Sequence, residues 1–75
     1  MDQEFLTGFG QRLHGLRLER GGTQKTMADY LGCTTSNYQK IEYGQVNIPV
    51  TARAALSQYF RVSADYLLGL QEERQ

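Results

Sequence analysis

The chain has 75 residues, enough for one domain; 40% are apolar, and eight basic residues balance eight acidic ones to a net charge of zero. A single cysteine, Cys33, excludes a disulfide framework, and no His/Cys/acidic cluster has metal-ligand spacing, so no metal and no cofactor are expected. No run approaches the roughly 18 apolar residues of a membrane span. Met1–Glu4 lacks the basic start of a signal peptide, and the lone thiol suits a reducing cytoplasm, the expected location.

The zero balance weighs against the strongly basic kind of nucleic-acid binder. Its distribution is uneven, however. Arg12, Arg17, Arg20, Lys25 and Lys40 face only Glu19, Asp29 and Glu42 in the central stretch, while acidic residues gather near the ends.

Helical periodicity dominates, and an all-α fold of five helices within one domain, 1–75, is predicted. In the first predicted helix, Glu4–Arg20, residues Phe5, Leu6, Phe9, Leu13 and Leu16 form one stripe. Gly8, Gly10 and Gly15 each cost about 1 kcal/mol there relative to alanine, so fraying of the first two turns, or a start nearer Thr7, is expected. Gly21-Gly22 ends the helix. Thr23 caps a second helix, Gln24–Leu31, with Met27, Ala28 and Leu31 inward. Gly32 stops it, and Thr34 caps a third, Thr35–Tyr43, closed by Gly44. The Gly-Cys-Thr connection is too short for an antiparallel hairpin and sends the third helix steeply across the second. After the loop from Gln45 to Pro49 come a fourth helix, Val50–Phe60, and a fifth, Ala64–Leu68, capped by Ser63 and closed by Gly69. Helix four places Ala52, Ala55, Leu56, Tyr59 and Phe60 on one face. The ordered core is expected over about residues 5–70, with the polar tail 71–75 disordered. The expected core is Phe9, Leu13, Leu16, Met27, Ala28, Leu31, Tyr38, Ile41, Leu56, Phe60 and Leu67.

The ordered spacing of Gln24, Ala28, Gly32, Ile41-Glu42, Gly44 and the final Leu67-Leu68-Gly69 resembles the lambda-repressor-like family of phage repressor and Cro type, the XRE group. The likeness covers about residues 9–69. It implies a helix-turn-helix in helices two and three and a sequence-specific DNA-binding transcriptional regulator, a repressor on a palindromic operator. Gln24 matches a glutamine that contacts the DNA backbone in relatives; its place at a helix N-terminus also suits phosphate. Arg17 and Glu42 match a pair that joins helix one to the end of helix three, where an arginine fork fits a carboxylate. Four departures stand out: Gly22 replaces an apolar residue, Thr26 replaces the Glu of a capping box, and the loop after helix three offers neutral Gln45 and Asn47. In helix four, Arg53 and Ser57 stand where apolar residues are usual, which leaves room for a one-residue register slip.

At about 100° per residue, Tyr38 and Ile41 mark the inward side of helix three. Opposite them stand Ser36, Gln39, Lys40 and Tyr43, with Thr35 at the exposed start. Thr35, Ser36, Gln39 and Lys40 are the base-reading candidates; Gln24, Asn37, Tyr43, Gln45 and Asn47 are the phosphate candidates. Polarity alone favours an ordinary solvated face; the tight turn and the fold pattern reverse that judgement. Tyr30 and Tyr43 fit surface aromatics as well as functional ones. Cys33 reads as a small core residue, and His14 as solvated. No nucleophile–base pattern or glycine-rich phosphate loop appears, so no enzyme and no small-molecule ligand are expected. Double-stranded DNA is the expected partner, with a homodimer at least on DNA, and Leu70 and Leu67-Leu68 fit either a dimer contact or packing. The alternative is a protein-interaction module on the same fold, such as an antitoxin-like adaptor.

Overall fold

The computed structural model describes residues 3–74. Its five helices are α1 (Gln3–Arg20), α2 (Gln24–Leu31), α3 (Thr35–Glu42), α4 (Val50–Phe60) and α5 (Ala64–Leu68), with no strand among the described residues. The expected all-α architecture holds. The core is one cluster: Leu6, Phe9, Leu13 and Leu16 of α1 meet Met27 and Ala28 of α2, Tyr38 and Ile41 of α3, and Leu56, Phe60 and Leu67. Ile48 and Val62, both in connections, also belong to it, whereas Leu31 is only partly buried at its edge.

The caps are local chemistry. The Thr23 hydroxyl accepts from the Thr26 N–H at 3.1 Å, and the two hydroxyls meet at 2.9 Å, so Thr26 supports the cap that a glutamate would have boxed. Gly32 takes the left-handed conformation, φ 73°, and Cys33 N–H returns to the Ala28 carbonyl at 3.0 Å. Thr34 then caps α3 by accepting from Asn37 N–H at 3.1 Å. Cys33 packs against the core from a partly buried position, as expected.

Three expectations are decided by the structure. First, α1 is helical from Gln3 rather than from near Thr7, and Gln3 Nε2 donates to the Gly44 carbonyl at 2.7 Å. Gly10 is required rather than merely tolerated. A Cβ there would run into the Glu42 carbonyl oxygen and lie 2.9 Å from that of Ile41; one on Gly44, itself left-handed at φ 71°, would lie 2.7 Å from Thr7 Cα. The two glycines let α1 and the end of α3 touch backbone to backbone. Second, α4 keeps the predicted register. The Ser57 hydroxyl donates to the Val62 carbonyl, whereas Arg53 lies partly buried with its Nε unpartnered among the described residues. Third, the tail through Arg74 is ordered against the domain. Ser63 N–H donates to the Arg74 carbonyl at 2.6 Å, Gln71 Nε2 donates to the Ser63 hydroxyl at 2.9 Å, and Arg74 forks onto Glu19 at 2.9 and 2.6 Å. Polar composition hid partners from two separate segments, at Ser63 and Glu19. Gln75, also assigned to the tail, lies outside the described residues.

Gly15 differs from Gly10: a Cβ at Gly15 would meet nothing within 4 Å. Gly15→Ala is therefore expected to raise stability by about 1 kcal/mol through helix propensity alone. Gly10→Ala is expected to lower it by about 1–3 kcal/mol, because the end of α3 must move away. Urea denaturation of the two variants checks both signs.

Candidate nucleic-acid interface

The interface is built on a charge buried inside the domain. Arg17 Nε donates to Glu42 Oε2 at 2.7 Å and its Nη2 to Oε1 at 3.3 Å, with the Glu42 side chain only 1% exposed. Arg17 Nη1 also donates to the Gly22 carbonyl at 3.0 Å, so the guanidinium spans α1, the turn before α2 and the last residue of α3. The expected pair is present. Burial pushes the Glu42 carboxyl up, but the donors around it, Arg17 first, then Tyr38, His14 and Gln24, outweigh burial and hold it below the ordinary 4.5. The Glu42 hydrogen bond in turn raises Arg17. The Tyr38 hydroxyl acts from outside good hydrogen-bond geometry; burial, and then Glu42, push its own pKa up.

α3 hangs from this pair. Gln24 Nε2 donates to Glu42 Oε1 at 3.3 Å, and Gln24 Oε1 accepts from Gln39 Nε2 at 2.9 Å. A base-reading candidate and a phosphate candidate are thus one hydrogen-bonded unit, both partly buried. Ser36 and Lys40 are exposed on the same helix, and Thr35 is partly exposed at its start. Lys40 makes no ion pair among the described residues. Tyr43, 57% exposed, caps the end of α3 and lines a cleft with Thr7, Gln11, His14 and Glu42.

The other phosphate candidates fall elsewhere. Asn37 and Asn47 are exposed but share an apolar cleft of about 490 Å³ with Tyr30, Cys33, Val46 and Pro49. Gln45 is exposed beyond Gly44, its N–H tied to the Lys40 carbonyl at 2.8 Å. The phosphate candidates are therefore spread out, with the Gln24–Gln39 pair, the Tyr43 cleft, the exposed Gln45 and the apolar cleft each holding some.

His14 is more than a solvated side chain. It is half-exposed, with Nδ1 at 3.0 Å from Glu42 Oε1 and 3.1 Å from Arg17 Nη2. That nitrogen donates to the carboxylate when it carries a proton and accepts from the guanidinium when it does not. The available signal was its spacing: His14 and Arg17 are three apart on α1 and so share a face. Tyr30 is likewise engaged, its hydroxyl donating to the Ala55 carbonyl at 3.1 Å while its ring lies 4.7 Å from that of Tyr59. This ties α2 to α4.

Known proteins resemble this chain in sequence and fold. Residues 13–67 match the family model described as helix-turn-helix. Over 60 residues the chain is 40% identical to the SPbeta prophage-derived uncharacterized HTH-type transcriptional regulator YonR of Bacillus subtilis (strain 168), a match over 80% of this chain and 56% of that one. The chain thus spans little more than half the length of that relative. The restriction-modification controller protein C.AhdI from Aeromonas hydrophila superposes with a TM-score of 0.74 at 32% identity, over 83% of this chain and 94% of that one. The clp gene regulator ClgR from C. glutamicum shares the fold, with a TM-score of 0.76 at 17% identity, over 88% of this chain and 86% of its own.

Breaking the buried pair from one side leaves a desolvated charge without its partner, so Glu42→Ala is expected to cost roughly 3–5 kcal/mol in urea denaturation. The pH response has a defined sign. Because the folded-state carboxyl lies below the ordinary 4.5, its contribution is complete above that value and is lost as pH falls through the folded-state pKa. Melting temperatures measured from neutral pH down to about pH 3 should fall less steeply in Glu42→Gln than in the parent. Parallel curves would refute this assignment of the acid sensitivity.

Proposed function

The chain belongs to the helix-turn-helix family, and from that premise we propose that it is a sequence-specific DNA-binding transcriptional regulator, a repressor that occupies a palindromic operator as a homodimer. The observation that carries this reading is the two-sidedness of α3. Tyr38, Ile41 and Glu42 are buried on one side, while Ser36 and Lys40 are exposed and Thr35 and Gln39 partly exposed on the other. The exposed set offers hydroxyls, an amide and an ammonium, which suit base edges in the major groove. These groups match hydrogen-bond partners rather than break bonds, so the proposed role is binding and not catalysis. The N-terminus of α2 lies beside them, linked through Gln24, and its free amides suit a phosphate. Two of the relatives are named for transcriptional regulation or control, which supports the regulatory role.

One eight-residue helix reads only a few base pairs. Two copies about 34 Å apart would read a dyad-symmetric site, and bound there they would exclude other proteins from the same DNA. The zero net charge favours a second reading, a protein-interaction module on this fold. The two readings differ in what selection from randomised duplexes returns. A regulator yields a defined sequence with dyad symmetry, and its footprint at saturation covers both half-sites. No enriched sequence would support the interaction module, and a footprint over one half-site would rule out the dimer.

On the selected site, Lys40→Ala is expected to cost about 1–3 kcal/mol and to relax preference at one base position. Fluorescence anisotropy against single-base variants of the site checks this. A uniform loss at every position, with a salt slope lowered by nearly one unit, would instead make Lys40 a phosphate contact.

A further inference from the structure

The hydrogen bond between Gln24 and Gln39 has a direction, and neither glutamine can set it. Each carboxamide carries a donor arm and an acceptor arm and is equally able to turn either way. We infer that Glu42 sets the polarity of the reading face: through Gln24 it holds the Gln39 carboxamide amine-inward and oxygen-outward. Gln39 then selects bases that present an exocyclic amine, adenine or cytosine, over bases that present a carbonyl, guanine or thymine. This rests on the proposed reading of DNA by α3.

Glu42 is the one group in the chain of contacts that cannot choose. The arginine fork, Nε to Oε2 at 2.7 Å and Nη2 to Oε1 at 3.3 Å, anchors it as a carboxylate. A carboxylate only accepts. Gln24 must therefore turn its Nε2 to Glu42 Oε1, at 3.3 Å, since the flipped amide would set oxygen against oxygen with no proton between them. Gln24 Oε1 then faces α3. Gln39 must in turn present Nε2 to it, at 2.9 Å, for the same reason. The second arm of Gln39, its Oε1, has no partner among the described residues. In the major groove only adenine N6 and cytosine N4 donate to such an acceptor, whereas guanine O6 and thymine O4 oppose it. Glu42 touches no base in this scheme. It is a positioning residue whose buried charge is transmitted through two amides to the surface.

The test uses the full chain and the duplex it selects. Gln39→Ala locates the base position that Gln39 reads, as the one position whose preference disappears. There the parent protein is expected to favour adenine or cytosine over guanine and thymine by about tenfold. Glu42→Gln lets either arm face Gln24, and Gln24→Ala removes the relay while leaving the Arg17–Glu42 pair in place. Both variants are expected to lose that tenfold ratio at that one position and to keep the preference that Lys40 confers elsewhere. Should Glu42→Gln not fold, the Gln24→Ala ratio decides alone. An unchanged ratio in the folded variants overturns the relay and leaves the DNA reading standing. So does a parent preference for guanine or thymine, a Gln39→Ala that alters no preference, or a loss of preference at every position together. If the parent selects no sequence at all, the DNA reading fails and the relay with it.

Discussion

The arrangement of this domain depends on a single charge pair placed where water cannot screen it. Burying a guanidinium and a carboxylate is costly, and it succeeds only when every remaining hydrogen-bonding arm finds a partner. Here the partners come from everywhere that matters: Arg17 from α1, the Gly22 carbonyl from the turn, Gln24 from the start of α2, and His14 one turn before Arg17. Glu42, at the end of α3, is the acceptor that the three side chains share. α3 is thus held at its C-terminal end by electrostatics and along its inner side by Tyr38 and Ile41 in the apolar core. Displacing α3 would strand a charge as well as open an apolar contact.

Such a pair can form only if the backbones come very close. Gly10 in α1 and Gly44 after α3 provide that closeness. The helix-propensity cost of Gly10 is offset by the contact it permits. Gly15, on the same helix, permits none, so its cost is not recovered in packing.

Outside the apolar core, the other polar ties of the domain are more exposed. Arg20 lies over the rings of Tyr59 and Phe60, and its Nη2 donates to the Tyr59 carbonyl at 3.0 Å, tying α1 to the end of α4. The Glu19–Arg74 fork and the Lys25–Asp29 pair are exposed, and solvent screens them, so they shape the surface more than they stabilise it.

Much of this was legible in the residues alone. Caps and stops are local chemistry: Thr23, Thr34 and Ser63 each accept from an N–H three residues on, and Gly21, Gly32, Gly44 and Gly69 all take a left-handed conformation. Helical periodicity identified the inner stripe for the same reason, since 3.6 residues per turn leave little choice of face. The Arg17–Glu42 pair was accessible through resemblance, because residues 25 apart carry no spacing signal of their own. What the sequence could not express was mutual orientation. Whether Gly10 weakens α1 or enables a crossing depends on what lies opposite it. Whether Asn37 and Asn47 face a phosphate or an apolar cleft depends on where α2, the loop after α3 and α4 come to lie around them. His14 joined the buried pair, and the polar tail found Ser63 and Glu19, only because distant segments arrived at the same place. The sequence by itself determined the helices, their ends and most of the core, since those follow from interactions within a few residues. Only the tertiary structure decided which polar groups meet, because a hydrogen bond between distant residues exists only once the chain has brought them within about 3 Å.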